Sequence, residues 1–241
     1  MGEIGTAITG LLNFRDVGGL PTSNGARTRF KTLYRSHSPS GLGPEGMAEI
    51  RALGLGAVLD LRDEFETVQW PYDLGAPSIR RYFVPVLGNR PVPPDQADLY
   101  LHMVEECGSE FTRAVLAMAD AQSLPLLVHC AVGKDRTGVT VALALSAVGV
   151  TDEAIVTDFL RSNPGLNIPD PGLDDSEDDG DGDGTRDRFL MHHHVRAALI
   201  ESALARARLL GGDVPGYLAM HGMTDAELDA LRTNLTEPLD D

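Results

Sequence analysis

The chain has 241 residues, 42% of them hydrophobic and 5% aromatic, enough apolar matter for one sizeable core. A formal charge of −16 argues against nucleic acid as a partner and against stable attachment to anionic membranes, since both rest on basic surface. Two cysteines make no disulfide framework and point to a reducing cytoplasm; no secretory leader is visible, and no run approaches the roughly 18 apolar residues that span a bilayer.

Residues 13–36 read as short extended segments punctuated by Gly18-Gly19, Pro21 and Asn24-Gly25. Pro44 to Leu53 has helical spacing, with proline at its start and Gly54 as its stop. Ala57 to Leu61 reads as a short strand buried on both faces, and Arg81 to Val86 as another, followed by a loop from Gly88 to Pro94. Helices are predicted over Asp95–Glu106 and Glu110–Gln122, then an apolar strand at Leu124–Val128 and a helix at Thr137–Val148. Strands alternating with helices predict an α/β fold of three layers, a mainly parallel central sheet flanked by helices on both faces. In such sheets ligands sit beyond the carboxyl ends of the strands, where the loops after Asp60 and Cys130 fall.

Residues 170–187 interrupt a single domain spanning 1–241, with a run from Asp174 to Gly184 that offers nothing apolar to pack. We read them as a solvated, disordered insertion. Asp179, Asp181, Asp183 and Gly184 mimic the start of a calcium loop, but Leu190 stands where the bidentate glutamate belongs, so no metal is expected. His192, His193 and His194 open a helix running to Leu210, and consecutive side chains on a helix cannot all face one ion. Thr224 with Glu227 forms a capping box before Leu228, Leu231 and Leu235.

The most informative stretch is His129-Cys130-Ala131-Val132-Gly133-Lys134-Asp135-Arg136-Thr137-Gly138. Strand, tight loop and helix N-terminus together aim backbone N–H groups at one point and add the positive end of a helix dipole. Such a concavity holds a tetrahedral oxyanion and favours the thiolate of a cysteine at its floor. Arg136 closes the ring with a planar fork suited to two phosphate oxygens. A thiolate in a phosphate cradle implies phosphoryl transfer through a phosphocysteine. Reading Cys130 as a mere buried hydrophobe leaves the charged residues behind it without a role. A nucleotide P-loop is excluded because Asp135 follows Gly133-Lys134 where serine or threonine is required.

This loop, Cys-x5-Arg-Thr, resembles the signature of the cysteine-dependent protein tyrosine phosphatases. Gly-Lys-Asp-Arg-Thr at 133–137 resembles most the bacterial tyrosine-protein phosphatase family, related to dual-specificity and phosphoinositide phosphatases. Asn13-Phe14-Arg15-Asp16-Val17-Gly18-Gly19-Leu20 is similar to that branch's opening motif, followed by Leu33-Tyr34-Arg35-Ser36. Val58-Leu59-Asp60-Leu61-Arg62 with Glu64 and Glu66 resembles its first core strand and turn. The segments 158–163 and Gly216-Tyr217-Leu218 through Leu231-Arg232 resemble its C-terminal helices. The resemblance implies a cytoplasmic, cofactor-free phosphomonoesterase acting on phosphotyrosine-type groups, with dual specificity a possibility, and a phosphorylated protein or a small phosphoester as its partner. The same chemistry on a phosphoinositide, nucleotide or sugar phosphate stays open, as do the physiological substrate and oligomeric state. A catalytically inactive phosphate-binding module is the further alternative, opposed by intact Cys130 and Arg136. Lys-Asp-Arg-Thr also speaks against a rhodanese-like sulfur carrier.

On this reading Cys130 attacks phosphorus, and Ala131, Val132, Gly133, Lys134, Asp135, Arg136 and Thr137 bind the phosphoryl group. Arg136 neutralises the transition state, Thr137 donates its hydroxyl to the sulfur, and His129 orients the loop. Lys134 adds a cation at the rim. The general acid is open among Asp135, Asp95 and Asp98. We favour Asp135, which the resembling branch suggests, against a purely structural pairing with Arg62 or backbone N–H groups. Trp70-Pro71-Tyr72-Asp73 falls too soon after Asp60 to be an acid loop, and Asp60 reads as buried support. Cys107 reads as an ordinary helix-end cysteine rather than a disulfide trap for Cys130.

Overall fold

The computed structural model describes residues 7–88, 90–162 and 195–239. Along the chain these form β1 (Arg15–Asp16), β2 (Ala26–Thr28), β3 (Leu33–Ser36), α1 (Pro44–Ala52), β4 (Ala57–Asp60), α2 (Glu64–Gln69), β5 (Arg80–Phe83), α3 (Gln96–Glu106), α4 (Gly108–Ala119), β6 (Leu126–His129), α5 (Asp135–Ala147), α6 (Asp152–Leu160), α7 (Ala197–Gly211), α8 (Val214–Met220), α9 (Asp225–Leu235) and β7 (Thr236–Pro238). The acidic run, its calcium-like start and the three histidines lie outside the described residues.

Five strands make the central sheet in the order β1-β3-β6-β4-β5, and every pairing is parallel except that of β1 with β3. Register sorts the side chains. Leu33, Ala57, Leu59, Leu126 and Val128 point into the larger core, under α3, α4 and α5. Tyr34, Val58 and Leu127 point to the other face, where Ile50 of α1 and Leu11 and Leu74 of the loops cover them. Apolar layers on both faces explain why β4 and β6 read as uninterrupted apolar runs rather than alternating ones. α5 is buried almost from end to end because α6, α7, α8 and α9 pack over its far side.

Boundaries moved where pairing or capping decided them. The strand expected to reach Val86 ends at Phe83: it pairs only with the four residues of β4, and Pro85 has no N–H to continue a ladder. The helix expected to reach Gln122 stops at Ala119, and the Asp120 side chain accepts the Gln122 N–H to start a separate 3-10 turn at Ala121–Ser123. The C-terminal strand β7, paired with β2 in a second sheet, was not expected, since Thr-Glu-Pro has no apolar periodicity and two of its three residues, Glu237 and Pro238, are of types depleted in strands. The Thr224–Glu227 capping box is formed, and no helix among the described residues is long and apolar enough to cross a membrane.

Candidate active site

β6 delivers His129 and Cys130 to the carboxyl edge of the sheet, and α5 begins at Asp135, so Cys130 to Lys134 form the connecting loop. Gly133 makes the turn possible. Its φ is +71°, and a Cβ there would stand 2.1 Å from the Ser36 carbonyl oxygen, so the chain can pass the end of β3 only as glycine. Cys130 is buried, and its Sγ accepts the Gly133 N–H at 3.2 Å. A sulfur held by an amide in a loop that opens onto a helix N-terminus is the arrangement the sequence implied.

Two layers of side chains fix this loop. Behind it, Arg35 donates to the Gly133 carbonyl at 2.9 Å and Asn13 Nδ2 to the same oxygen at 2.8 Å. Asn13 itself sits at φ +54°, a left-handed conformation that asparagine tolerates better than most residues. Asp158 of α6 ties the layer together, accepting from Arg15 Nε and from Arg35, each at 2.7 Å, with all three buried. Burial alone would raise the Asp158 carboxyl, but Arg35 and Arg15 hold it down at about 2. Burial and the neighbouring Arg15 pull Arg35 down to about 10, an effect that Asp158 offsets in part.

In front, Arg136 is buried and gripped through both terminal nitrogens by the Glu66 carboxylate, with Asp63 Oδ2 3.6 Å away. Glu66 also accepts the Asp63 N–H at 2.6 Å, which anchors it at the start of α2. Burial opposes charge on both partners, yet Glu66 pushes the guanidinium well above its ordinary range, and Arg136 draws the carboxyl below its own. Among the described residues the clamp to Glu66 engages two of the five guanidinium N–H groups, and a planar fork of this kind can present others to a second anion.

His129 Nδ1 lies 3.0 Å from the Cys130 carbonyl oxygen, which can only accept, so the proton sits on Nδ1. Nε2 therefore accepts the Tyr72 hydroxyl at 2.8 Å. Burial lowers the imidazole, with Asp60 opposing, and keeps it neutral at neutral pH. Asp60 pairs bidentately with Arg62, whose remaining nitrogen reaches the Trp70 carbonyl at 2.8 Å. Asp60, Arg62, Tyr72, Arg81 and Phe83 line a cleft of about 280 Å³ beside this cluster.

Several expected contacts are replaced by others. Thr137 Oγ1 is buried without a hydrogen-bond partner, so its donation to the sulfur is not formed; the Gly133 amide fills that role. Lys134 does not stand at the rim. It is 2% exposed, with Nζ 3.8 Å from Asp135 Oδ2. Asp135 does not pair with Arg62, which Asp60 occupies; its Oδ1 accepts the Tyr100 hydroxyl at 2.7 Å. Asp95 is exposed and caps α3 by accepting the Ala97 and Asp98 N–H groups, and Asp98 is exposed. Asp73 is exposed and held by Arg81 at 2.8 Å. Cys107 is a buried free thiol at the junction of α3 and α4, pushed up to about 11 by burial.

Glu66, Tyr72 and Tyr100 have no role in the sequence reading. For Glu66 a local signal existed: the Asp63-x-x-Glu66 spacing of a helix start directly after a buried strand.

Residues 6–237 match the model of the tyrosine phosphatase family. A Cupriavidus necator protein provisionally named a tyrosine-protein phosphatase is 33% identical over 169 residues, which take in 63% of this chain and 60% of that one. The chain thus spans about three fifths of that relative's length. The triple specificity protein phosphatase PtpB of Mycobacterium tuberculosis is 30% identical over 199 residues, covering 65% of this chain and 68% of that one. Among solved structures, the core catalytic domain of the PP-IP phosphatase SIW14 from S. cerevisiae aligns with a TM-score of 0.41 at 23% identity, over 62% of this chain and 75% of that one.

Proposed function

This chain belongs to the tyrosine phosphatase family, and from that premise we propose that it hydrolyses phosphomonoesters of the phosphotyrosine type through a phosphocysteine intermediate. The observation that carries the proposal is the Cys130 sulfur, held by the Gly133 amide in a loop whose far side is closed by the Glu66-clamped Arg136. The relatives' names, a tyrosine-protein phosphatase and a triple specificity protein phosphatase, support protein phosphoesters as the substrate class.

In the first half-reaction Cys130 Sγ bonds to phosphorus as the ester P–O bond breaks, and the leaving oxygen takes a proton from Asp135. In the second, water attacks phosphorus, gives a proton back to Asp135, and the S–P bond breaks to return the thiolate. The amides of the 131–136 loop and the other donors of Arg136 receive the charge that builds on the equatorial oxygens. Asp135 is preferred as the acid because it sits in the cradle, whereas Asp95 is engaged as a helix cap. The helices on both faces of the five-stranded central sheet share its apolar cores, which supports one catalytic domain. Two free thiols suit a reducing compartment, the cytoplasm.

Cys130→Ser tests the mechanism: phosphate release from a phosphotyrosine peptide falls to background while vanadate or phosphate still binds. Full activity of that variant sinks it. Substrate class is read by comparing phosphotyrosine and phosphoserine peptides with phosphoinositides and nucleoside monophosphates. Turnover of the tyrosine peptide far below the small phosphoesters overturns that part.

A further inference from the structure

The Asp135 carboxyl presents two unequal oxygens. Oδ1 accepts the hydroxyl of Tyr100, a fully buried residue of α3, at 2.7 Å, and Lys134 Nζ lies 3.8 Å from Oδ2. The Tyr100 ring cannot swing away. It meets Phe159 of α6 edge-on, with centroids 5.9 Å apart, and Phe159 is itself pressed against α5, where a Cβ on Gly138 would come within 2.8 Å of the ring. Burial, then the neighbouring Asp135 charge, raises the phenol well above its ordinary range, so it keeps its proton. Among the described residues, the hydroxyl also faces the charged or titratable Arg35 of β3 and Cys130 of the loop, and the carboxyl meets Tyr100 and Lys134.

A phenol has one proton to give, and giving it to Oδ1 makes that oxygen an acceptor. We propose that Tyr100 is a positioning residue for the hydrolysis: by occupying Oδ1 it fixes the Asp135 carboxyl so that Oδ2 carries every transferred proton. The inference rests on Asp135 being the acid. In the first step the Oδ2 proton passes to the ester oxygen as P–O breaks and S–P forms. In the second, Oδ2 takes one proton from water as the new P–O bond forms and S–P breaks. The Tyr100 proton stays on the phenol throughout, so no other donor or oxidant is needed.

The test uses aryl phosphates of graded leaving-group quality, followed across the acid-to-neutral range for the wild type, Tyr100→Phe, Asp135→Asn and the double variant. Asp135→Asn should lose about a hundredfold or more on poor leaving groups and little on good ones. Tyr100→Phe keeps the ring and should lose about tenfold on poor leaving groups. Its pH limb should move upward, because removing a hydrogen bond to the ionised form lets the carboxyl hold its proton longer. In the Asp135→Asn background the Phe substitution should cause no further loss. If Asp135→Asn keeps the wild-type leaving-group dependence, the assignment of Asp135 fails and the proposal with it. If Asp135→Asn is impaired but Tyr100→Phe matches the wild type in rate and pH limb, the Tyr100 role alone is overturned. The same holds if the two substitutions act independently in the double variant. Where the Phe variant folds poorly, 3-fluorotyrosine placed at position 100, a stronger donor of nearly the same shape, should move the limb downward; an unmoved limb overturns the proposal.

Discussion

Arg136 and Glu66 show how a buried positive charge is held in the free protein. A buried guanidinium without a partner is strongly unfavourable, and the Glu66 carboxylate supplies the compensation in the free protein. Glu66→Gln keeps the shape and removes the charge, so unfolding free energy should fall by about 3 kcal/mol in the absence of phosphate. A bound phosphate then replaces part of the missing charge. Saturating phosphate should therefore raise the melting temperature of Glu66→Gln more than that of the wild type. Equal shifts in a differential scanning experiment would show that Glu66 does not neutralise Arg136. Cys130 and Arg136 were legible in the sequence because their chemistry is local to ten consecutive residues. Glu66 lies 70 positions from Arg136, Tyr100 lies 35 from Asp135, and Asp158 lies 123 from Arg35; such pairings are set by the fold rather than by spacing.

At the scale of elements, the strand–loop–helix unit of β6 and α5 was legible and its braces were not. An apolar run ending in a small charged loop and resuming as a helix marks itself. That Asn13 and Arg35, from two separate short segments, would converge on one carbonyl of that loop depends on β3 lying beside β6, which no local pattern encodes. The turn residue Gly133 carries the consequence. Gly133→Ala places a methyl group against the Ser36 carbonyl and holds alanine at φ +71°. Gly25 is the control: its φ is +79°, but a Cβ there meets nothing within 4 Å. Gly25→Ala should reduce stability by only about 1 kcal/mol, the left-handed penalty alone, with turnover intact. Gly133→Ala should reduce it by more, and should also abolish turnover and the stabilisation by phosphate. Matching denaturant midpoints for the two variants, with activity retained in both, would mean that the loop does not need its approach to β3.

Across the whole molecule, the ion pairs and neutral histidines gathered at one edge of the sheet tie folding to pH. His37, just past β3 and beside the turn at Gly133, is pushed down to about 4 by burial and by the nearby His129. In the unfolded chain it titrates near 6.5, so the unfolded state binds more protons as pH falls below that value. Its stabilising contribution is complete above pH 6.5 and is lost as pH drops through about 4. At about 1.4 kcal/mol per unit the loss approaches roughly 3 kcal/mol. His129, also lowered, acts in the same direction. Asp158, at about 2 when folded against 3.8 unfolded, extends the decline to lower pH, with Asp60 and Glu66 adding to it. Asp16 opposes it, because burial raises its folded value, but it is only partly buried at the edge of the sheet. Urea midpoints should therefore fall steadily as pH is lowered from 6.5 to 4, before the bulk of the carboxylates titrate. His37→Gln removes one of the two titrating groups and should make that first segment shallower, with His129 keeping part of the slope, while leaving the later fall below pH 3.8 in place. A wild-type midpoint that stays constant from 6.5 to 4 would mean that His37 and His129 are protonated as readily folded as unfolded, and that the edge behind Cys130 is open to water.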